Sequence, residues 1–319
     1  MYLTMGKLLN EILEIEHPII VAPMFLVSNV EMVVEACEAG ATAAIPALNY
    51  RTNEELIQAI KSIKSKTNKP FGINLIVNKS NPKYLSQLKL LAEEKVDYII
   101  TSLGSPAETI KMCKPLGIKV FCDVVDLKYA QKVEEMGADS VIAVNNKAGG
   151  HCGPDGLDQL IKELNQNISI PIISAGGVTN VNDVNQAINL GACGVSVGTI
   201  FLAASEAPIS NEYKQALIDY GEKDIVLSTK LSGSHLTVIN TPYVKSIGTK
   251  AAWWEKLMKK NKTLKKWIKL IVALRGMNKI RKSAFKATYK TVWCAGPAIE
   301  HIHKIRPLKE ILRDLINQD

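Results

Sequence analysis

The 319-residue sequence lacks three features that would assign it at once to a class of protein. No run of about 18 uninterrupted apolar residues occurs, so a transmembrane helix is not expected. The six cysteines are scattered and include no CxxC pair, which predicts reduced thiols rather than a disulfide framework or a zinc site. The N-terminus mixes acids into its apolar run, which is not typical of a secretory signal. These absences predict a cytoplasmic globular protein.

What the sequence does contain is a regular alternation between residues 18 and 205. Short β-branched runs alternate with amphipathic stretches of helical periodicity. Eight runs have strand character: "PIIVAP", "TAAIPA", "FGINLIV", "DYIITS", "IKVFCDV", "DSVIAV", "IPIISAG" and "CGVSVGT". Eight strands in strict β-then-α order predict an α/β fold, a closed (β/α)8 TIM barrel. A Rossmann-type sheet also alternates, but it would show GxGxxG after its first strand, where this chain has "VAPMFLVSN".

In such a barrel, functional residues come from the C-terminal ends of the strands. The ends of the seventh and eighth strands read "SAGGV" and "VSVGT". Their backbone amides and one hydroxyl suit a phosphate group, and the alternative is two tight turns that need glycine. The strand ends place these residues on the functional face: Pro23, Met24, Asn74, Thr101, Ser102, Asp123, residues 145–151, Gly176, Gly177, Gly198 and Thr199.

The segment "IPIISAGGVTNVNDVNQAINLGACGVSVGTIFLAASEAP" resembles the cofactor-phosphate half of the nitronate monooxygenase family, formerly called 2-nitropropane dioxygenases. That group includes enoyl-acyl-carrier-protein reductase II. "HPIIVAPM", "KPFGINLIV", "GADSVIAVNNKAGGHCG" and "VWCAGPAIEHI" resemble the family too, in the same order. The resemblance covers about residues 17–240 and resumes near residue 292, and the "AGGH" loop is its most specific piece.

The resemblance implies FMN on the C-terminal face of the barrel. The backbone of residues 22–24 would lie beside the flavin ring, Asn74 would hydrogen-bond it, and the glycine turns with Thr199 would hold the phosphate. The alternative for Asn74 is a residue that caps a βα turn. The implied cofactor-binding residues are Ala22, Pro23, Met24, Asn74, Thr101, Asn145, Gly149, Gly150, Gly176, Gly177, Gly198 and Thr199.

The resemblance makes His151 the catalytic residue. A histidine titrates near neutral pH, so it can take an α-proton from a substrate or give a proton to an enolate. The alternative is a structural loop histidine. Cys152 adjoins it, but a thiolate–imidazole pair is not favoured because no third, orienting group is evident. A metal site is not expected either, because His301 and His303 have no further ligands nearby in the sequence.

Residues 144–151, "VNNKAGGH", are called the histidine loop. Two of them depart from the family pattern. Relatives commonly carry Gln or Glu at the position of Val144, followed by Gly, and many carry Glu at the position of Lys147. Asn145 is therefore expected to supply the polar contact that Val144 cannot make. If Lys147 lies near His151, its charge is expected to lower the pKa of the imidazole.

A basic segment interrupts the resemblance. Residues 250–290 hold fourteen Lys or Arg and one acid, a net charge of +13, which leaves −5 for the rest of a chain of net charge +8. Apolar residues alternate with these lysines at near-helical spacing, which predicts one or two amphipathic helices. Three interpretations stay open: a lid over the barrel mouth, a surface for an acidic carrier protein or an anionic membrane, and, least favoured, nucleic-acid binding.

The predicted organisation is an FMN-binding barrel over residues 1–240 and a C-terminal helical cover over residues 241–319. The predicted activity is the conversion of alkyl nitronates and O2 to carbonyl compounds and nitrite. The alternative is a reductase of enoyl thioesters or quinones with NAD(P)H as co-substrate. A third hypothesis is a non-enzymatic flavin- or phosphate-binding protein at a membrane surface. We expect a small-molecule substrate and no binding to nucleic acid. A homodimer is one assembly that stays open.

Overall fold

The computed structural model describes residues 7–78, 81–230, 235–250 and 292–316. Except for Lys250, the basic segment 250–290 lies outside the described residues. The three interpretations of that segment therefore stay predictions.

Eight parallel strands form a closed barrel, which confirms the predicted (β/α)8 fold. Each strand coincides with one of the eight β-branched runs of the sequence. The barrel strands are β1 (Ile19–Val21), β2 (Thr42–Pro46), β3 (Gly72–Ile76), β4 (Tyr98–Ser102), β5 (Lys119–Val124), β6 (Ser140–Val144), β8 (Ile172–Ala175) and β9 (Gly194–Val197). A further strand, β7 (Gly150–His151), lies between β6 and β8 in the chain but outside the barrel.

The pairing of the first and last barrel strands closes the sheet. Ile19 is in register with Val195 and Val21 with Val197 on one side of β1, while Val21 is in register with Ala43 of β2 on the other. Because every pair is parallel, the carboxyl ends of all eight strands meet at one mouth.

Helices follow the strands and form the outer layer. Side-chain caps begin several of them: Asn29, Asp126 and Asn180 each accept a hydrogen bond from a backbone N–H of the first helical turn. Thr52 and Glu55 form a capping box. The helices are α2 (Val30–Glu38), α3 (Asn53–Lys64), α4 (Tyr84–Glu93), α5 (Ala107–Cys113), α6 (Leu127–Glu135), α7 (Leu157–Asn167) and α8 (Val181–Asn189).

The last helix completes this layer from a distant part of the chain. Helix α11 (Leu308–Ile316) buries Leu308, Ile311, Leu312 and Leu315 and packs against α2 and α8, in the place of the eighth barrel helix. Two other helices, α9 (Asn211–Asp219) and α10 (Pro242–Ile247), lie between β9 and α11 in the chain. The division of the chain at residue 240 stays a prediction.

A short N-terminal helix, α1 (Leu9–Leu13), packs against the core at the amino ends of the strands. Leu9 and Leu13 belong to the same buried cluster as Tyr98 and Phe121, whose rings stack with centroids 5.2 Å apart. The Leu9 N–H donates to the carbonyl of Cys193, next to the start of β9, at 2.8 Å. The barrel interior is therefore a packed core below its mouth, not a channel.

Within the described ranges, none of the helices combines the length and the apolar character that crossing a lipid bilayer requires.

Gly72 on β3 gives a direct test of the barrel core. A Cβ at this position would lie 2.1 Å from the ring of Tyr98, which is fully buried. We expect Gly72→Ala to lower the free energy of unfolding by about 1–3 kcal/mol through overpacking. Chemical denaturation measures this. In a Tyr98→Leu background the same change should be smaller, since the ring has been removed, and equal effects in both backgrounds would contradict the clash.

Candidate active site

Side chains point alternately into and out of the barrel along each strand, and this alternation determines which of them reach the mouth. Ile100 and Phe121 point into the barrel, where they join the interior cluster. Ser102 and Asp123 lie two residues further along the same strands, so they point inward at the mouth. Ser102 and Asp123 were named in the sequence analysis only as strand ends. The period of two within each strand is the signal that distinguishes them from their neighbours.

Thr101 lies on the other face of β4. Its hydroxyl is buried and donates to the carbonyl of Phe121 at 3.4 Å, next to Cys122 of the outer core. A ligand in the mouth would meet Ser102 before Thr101. A contact between Thr101 and a cofactor stays a prediction, and the strand alternation favours Ser102 as the inward polar residue of β4.

A chain of hydrogen bonds joins β3, β4 and β5 at the mouth. The Asn74 amide donates from Nδ2 to Ser102 Oγ at 2.7 Å and to the Ile100 carbonyl at 3.1 Å. Ser102 in turn donates to Asp123 Oδ2 at 2.5 Å. Burial raises the pKa of Asp123 to about 6, and the Ser102 hydrogen bond opposes part of that rise.

His151 lies at the mouth on a separate small sheet. Strand β7 pairs antiparallel with β11 (Leu236–Ile239), which pairs with β10 (Ile225–Ser228). The hydroxyl of Thr237 donates to the carbonyl of Ala148 at 2.7 Å and lies 3.2 Å from that of Gly150. The loop that carries His151 is therefore fixed from a segment almost ninety residues away in the chain. The alternating "LTVI" was the only sequence signal for this contact.

His151 is solvent-exposed, but nearby protein atoms partly desolvate its imidazole. Desolvation lowers its pKa below the usual value of 6.5, so the ring is mainly neutral at pH 7. The lowering was predicted, but its cause is burial; the charge of Lys147 does not contribute. Burial raises the pKa of the neighbouring Cys152, so that residue is a thiol at neutral pH and not a thiolate nucleophile.

Asn145 clamps the loops after β6 and β8 together. Its Nδ2 donates to the carbonyl of Gly176 at 2.9 Å, and its Oδ1 accepts from the N–H of Lys147 at 2.8 Å. The side chain is buried, with 1% of its surface exposed. Gly176 has φ +111°, a backbone conformation open mainly to glycine, and a Cβ there would lie 2.4 Å from Asn145 Oδ1. These contacts support a structural role for Asn145; its contact with a cofactor stays a prediction.

The turn after β9 contacts the histidine loop and Gly296, which lies in the C-terminal segment 292–316. The Gly296 N–H donates to Thr199 Oγ1 at 3.0 Å. A Cβ on Gly149 would lie 2.8 Å from the same oxygen. Gly149, Thr199 and Gly296 thus form one contact, and Gly296 was not among the predicted site residues. The resemblance of "VWCAGPAIEHI" to the family was its sequence signal.

The first βα turn lies beside the last one. A Cβ on Gly198 would lie 3.6 Å from Ala22 Cβ and 3.8 Å from Met24 Sδ, so the two turns face each other. The Met24 N–H donates to Ser28 Oγ at 2.8 Å, which holds this turn behind Pro23. Gly177, with φ +80°, lies against the aliphatic part of Lys147, and Gly150, with φ +77°, precedes His151. The predicted residues therefore lie at the strand ends and loops of one mouth, and the Thr101 side chain is on the outer face of β4.

Among the residues that the structure describes, no group of three or more His, Cys, Asp or Glu side chains could hold a metal ion. Glycine turns after the last two barrel strands and a histidine after the sixth are typical of the functional face of a TIM-barrel enzyme. Comparisons with known proteins decide the family. The family model for nitronate monooxygenase matches residues 6–85 and 80–318. The chain therefore belongs to the nitronate monooxygenase family, whose members are generally flavin-dependent enzymes.

Three relatives show the range of this family. A (3aS,4S,5R,7aS)-5-hydroxy-7a-methyl-1-oxo-octahydro-1H-indene-4-carboxyl-CoA dehydrogenase from Rhodococcus jostii is 30% identical, over 76% of this chain and 68% of the relative. A probable nitronate monooxygenase from Staphylococcus haemolyticus is 27% identical, over 75% of this chain and 79% of the relative. The structure of FabK from Thermotoga maritima has a TM-score of 0.83 and 28% identity, and the match covers 97% and 94% of the two chains.

The protonation of His151 can be measured directly. Because burial disfavours the imidazolium, we expect a titration midpoint below 6.5 in NMR spectra, with the His151 resonance identified by its absence in His151→Gln. The folded state then binds fewer protons than the unfolded state in this range. The free energy of unfolding should fall as the pH drops from about 6.5 through the folded pKa, and His151→Gln should lose that contribution. A midpoint at or above 6.5 would contradict this.

Gly296 tests the contact that fixes the histidine loop. A Cβ there would lie 2.6 Å from the Lys147 carbonyl oxygen and 2.9 Å from the Gly149 nitrogen, both backbone atoms. We expect Gly296→Ala to lower the free energy of unfolding by about 1–3 kcal/mol, because only a shift of the loop can relieve the clash. The matched control is Gly156→Ala, where a Cβ meets nothing within 4 Å. Equal losses in both variants would show that the contact is not tight.

Proposed function

We propose that this protein is an FMN-dependent nitronate monooxygenase that uses His151 as its base. The observation that carries the proposal is the convergence of the family's glycine turns and the neutral, desolvated His151 at one barrel mouth. When bound, the flavin supplies the redox chemistry that lets a nitronate react with O2 to give a carbonyl compound and nitrite.

The residues present fit a flavin mononucleotide. Gly176 and Gly177 both have positive φ, so the turn after β8 presents backbone without side chains over the mouth. Gly198 and Thr199 add a second turn, where the nearest atoms to a Cβ on Gly198 belong to Ala22 and Met24 at 3.6 and 3.8 Å. In the proposal these two turns hold the phosphate, and Ala22, Pro23 and Met24 lie beside the ring. Gly149 and Gly150 let the histidine loop approach the other side.

Polar side chains of the proposed site complete the fit. The two N–H groups of Asn74 are used within the protein, which leaves Oδ1 to accept from an N–H of the flavin. On β4, Ser102 is the polar residue that faces the mouth, next to the predicted Thr101. Asn145 contributes by holding the loops on which Gly176 and Lys147 lie.

His151 acts on the substrate. A neutral imidazole at pH 7 can accept the α-proton of a nitroalkane, which is the step that converts it to the nitronate. A substrate that arrives already as the nitronate anion does not need this proton transfer. Its negative charge then favours the imidazolium form of His151, which would orient it by a charge-assisted hydrogen bond.

A second candidate function has its own support. FabK, an enoyl-acyl-carrier-protein reductase II, matches nearly the whole chain, and the Rhodococcus jostii relative is named for a CoA thioester. In that function NAD(P)H delivers the reducing equivalents and His151 donates a proton to the reduced thioester. The second candidate function fits the same proposed organisation, with the barrel over residues 1–240 and the cover over 241–319. A carrier-protein surface at residues 250–290 would suit it as well.

The base is tested with paired substrates. We expect His151→Asn to reduce turnover of neutral 2-nitropropane by about 10²–10⁴-fold, because its proton acceptor is gone. Turnover of the preformed propane-2-nitronate should fall much less, and the yellow flavin should remain bound. Nitrite release measures both reactions, and mass spectrometry of the released flavin identifies FMN.

The neighbouring Cys152→Ala is the matched control and should keep wild-type rates. Equal losses with both substrates would remove His151 from proton abstraction. Anaerobic addition of NADH separates the two candidate functions: rapid bleaching of the visible flavin bands favours the thioester reductase, and persistent bands favour nitronate oxidation.

A further inference from the structure

One polar group at the mouth has no role in the proposed function. Asp123 lies on β5 at the end of the chain of hydrogen bonds from Asn74 through Ser102. The direction of these bonds is fixed by chemistry. The Asn74 NH2 group can only donate, so Ser102 Oγ accepts from it and donates its own proton to Asp123. Among these three hydrogen-bonded side chains, only the Asp123 carboxyl can therefore gain or lose a proton near neutral pH.

Among the described residues, no positively charged side chain acts on the Asp123 carboxyl. Within the described part of the chain, only burial, which raises its pKa, and the Ser102 hydrogen bond, which lowers it, act on this carboxyl. Cys122 on the same strand and Tyr129 on α6 are the titratable groups that respond to its charge. Burial raises the pKa of both, that of Cys122 to about 12, so they remain neutral. The inward residue of β6 is the apolar Val144.

Solvent reaches Asp123 only from the mouth, where its side chain is half-buried. A planar ligand that covers the mouth would remove this water. Because no cation of the described residues acts on Asp123, the loss of water favours the neutral carboxyl further. The carboxyl, with a pKa of about 6 before the ligand binds, would then take up a proton from solvent at neutral pH. A neutral carboxyl has one O–H donor, which a ligand carbonyl or ring nitrogen can accept.

The position of Asp123 suits such a contact. The proposed phosphate turns follow β8 and β9, which lie across the mouth from β3 and β4 in the strand order, and Asp123 is on the next strand, β5. A ligand with its phosphate at those turns extends its ring over the side chains of β3, β4 and β5. Those side chains are Asn74, Ser102 and Asp123.

We propose that Asp123 binds the heteroaromatic ring of the flavin as a proton donor, held in place by Ser102, and that ring binding is coupled to the uptake of one proton by its carboxyl group. This inference rests on the proposed flavin site and adds a ring-positioning residue to it. In the wild-type protein, affinity for the ring should therefore weaken as the pH rises above about 6.

The test compares riboflavin binding by the full-length, flavin-free chain as wild type and as Asp123→Asn between pH 5.5 and 8.5. Riboflavin has no phosphate, so no ligand phosphate titrates. Fluorescence quenching gives the Kd, and calorimetry in two buffers of different ionisation enthalpy counts protons. The ratio of the wild-type Kd to that of Asp123→Asn should rise by up to tenfold per pH unit above about 6. At pH 8 the variant, whose amide always donates, should bind more tightly.

Two further variants separate this role from a structural one. Ser102→Ala removes the hydrogen bond that favours the carboxylate, so the pH dependence should move to higher pH, which a merely destabilised protein would not show. Asp158→Asn removes one charge from an exposed side chain and should leave the pH dependence unchanged. The proton count for the wild type needs no variant at all.

A Kd ratio that does not change with pH, or riboflavin binding without proton uptake, would overturn the inference and leave the proposed flavin site intact. A wild-type protein that binds neither FMN nor riboflavin would overturn both.

Discussion

The register between β1 and β9 turns the sheet into a barrel, and the position of every candidate residue depends on it. Each strand alone is a short apolar segment of three to six residues that could not bury both faces. Closure gives each strand two partners and one shared interior, which Tyr98, Phe121 and their neighbours fill. Because all eight strands are parallel, closure also brings eight loops to one mouth, where side chains far apart in the sequence become neighbours.

The histidine loop shows how closely these neighbours are packed. Three segments hold it: the Asn145 amide below it, Thr237 of β11 beside it, and Gly296 from the C-terminal segment. Thr199 and Gly296, which share a hydrogen bond, are 97 residues apart in the chain. Glycine occurs at these contacts because backbone meets backbone there and no Cβ fits. The loop is positioned by tertiary contacts, and for that reason a shift of any of the three would move His151.

Two titratable groups of the mouth are both displaced toward their neutral forms by the same cause. Burial lowers the pKa of the His151 imidazole and raises that of the Asp123 carboxyl. The imidazole is therefore in its proton-accepting form at neutral pH, and the carboxyl becomes a group that can donate a hydrogen bond near neutral pH. A pair of this kind is common where enzymes need an acceptor and a donor in one site.

The sequence by itself determined the barrel, because eight β-branched runs and the helices between them encode their own periodicity and order. It also determined most of the mouth, since a residue at the end of a parallel strand can only lie there. Only the tertiary structure decided which of two adjacent polar residues faces inward, Ser102 rather than Thr101, because that depends on strand register. It alone showed that burial, and not Lys147, lowers the pKa of His151. Desolvation and distant contacts arise only when separate segments meet, so no local pattern of residues carries them.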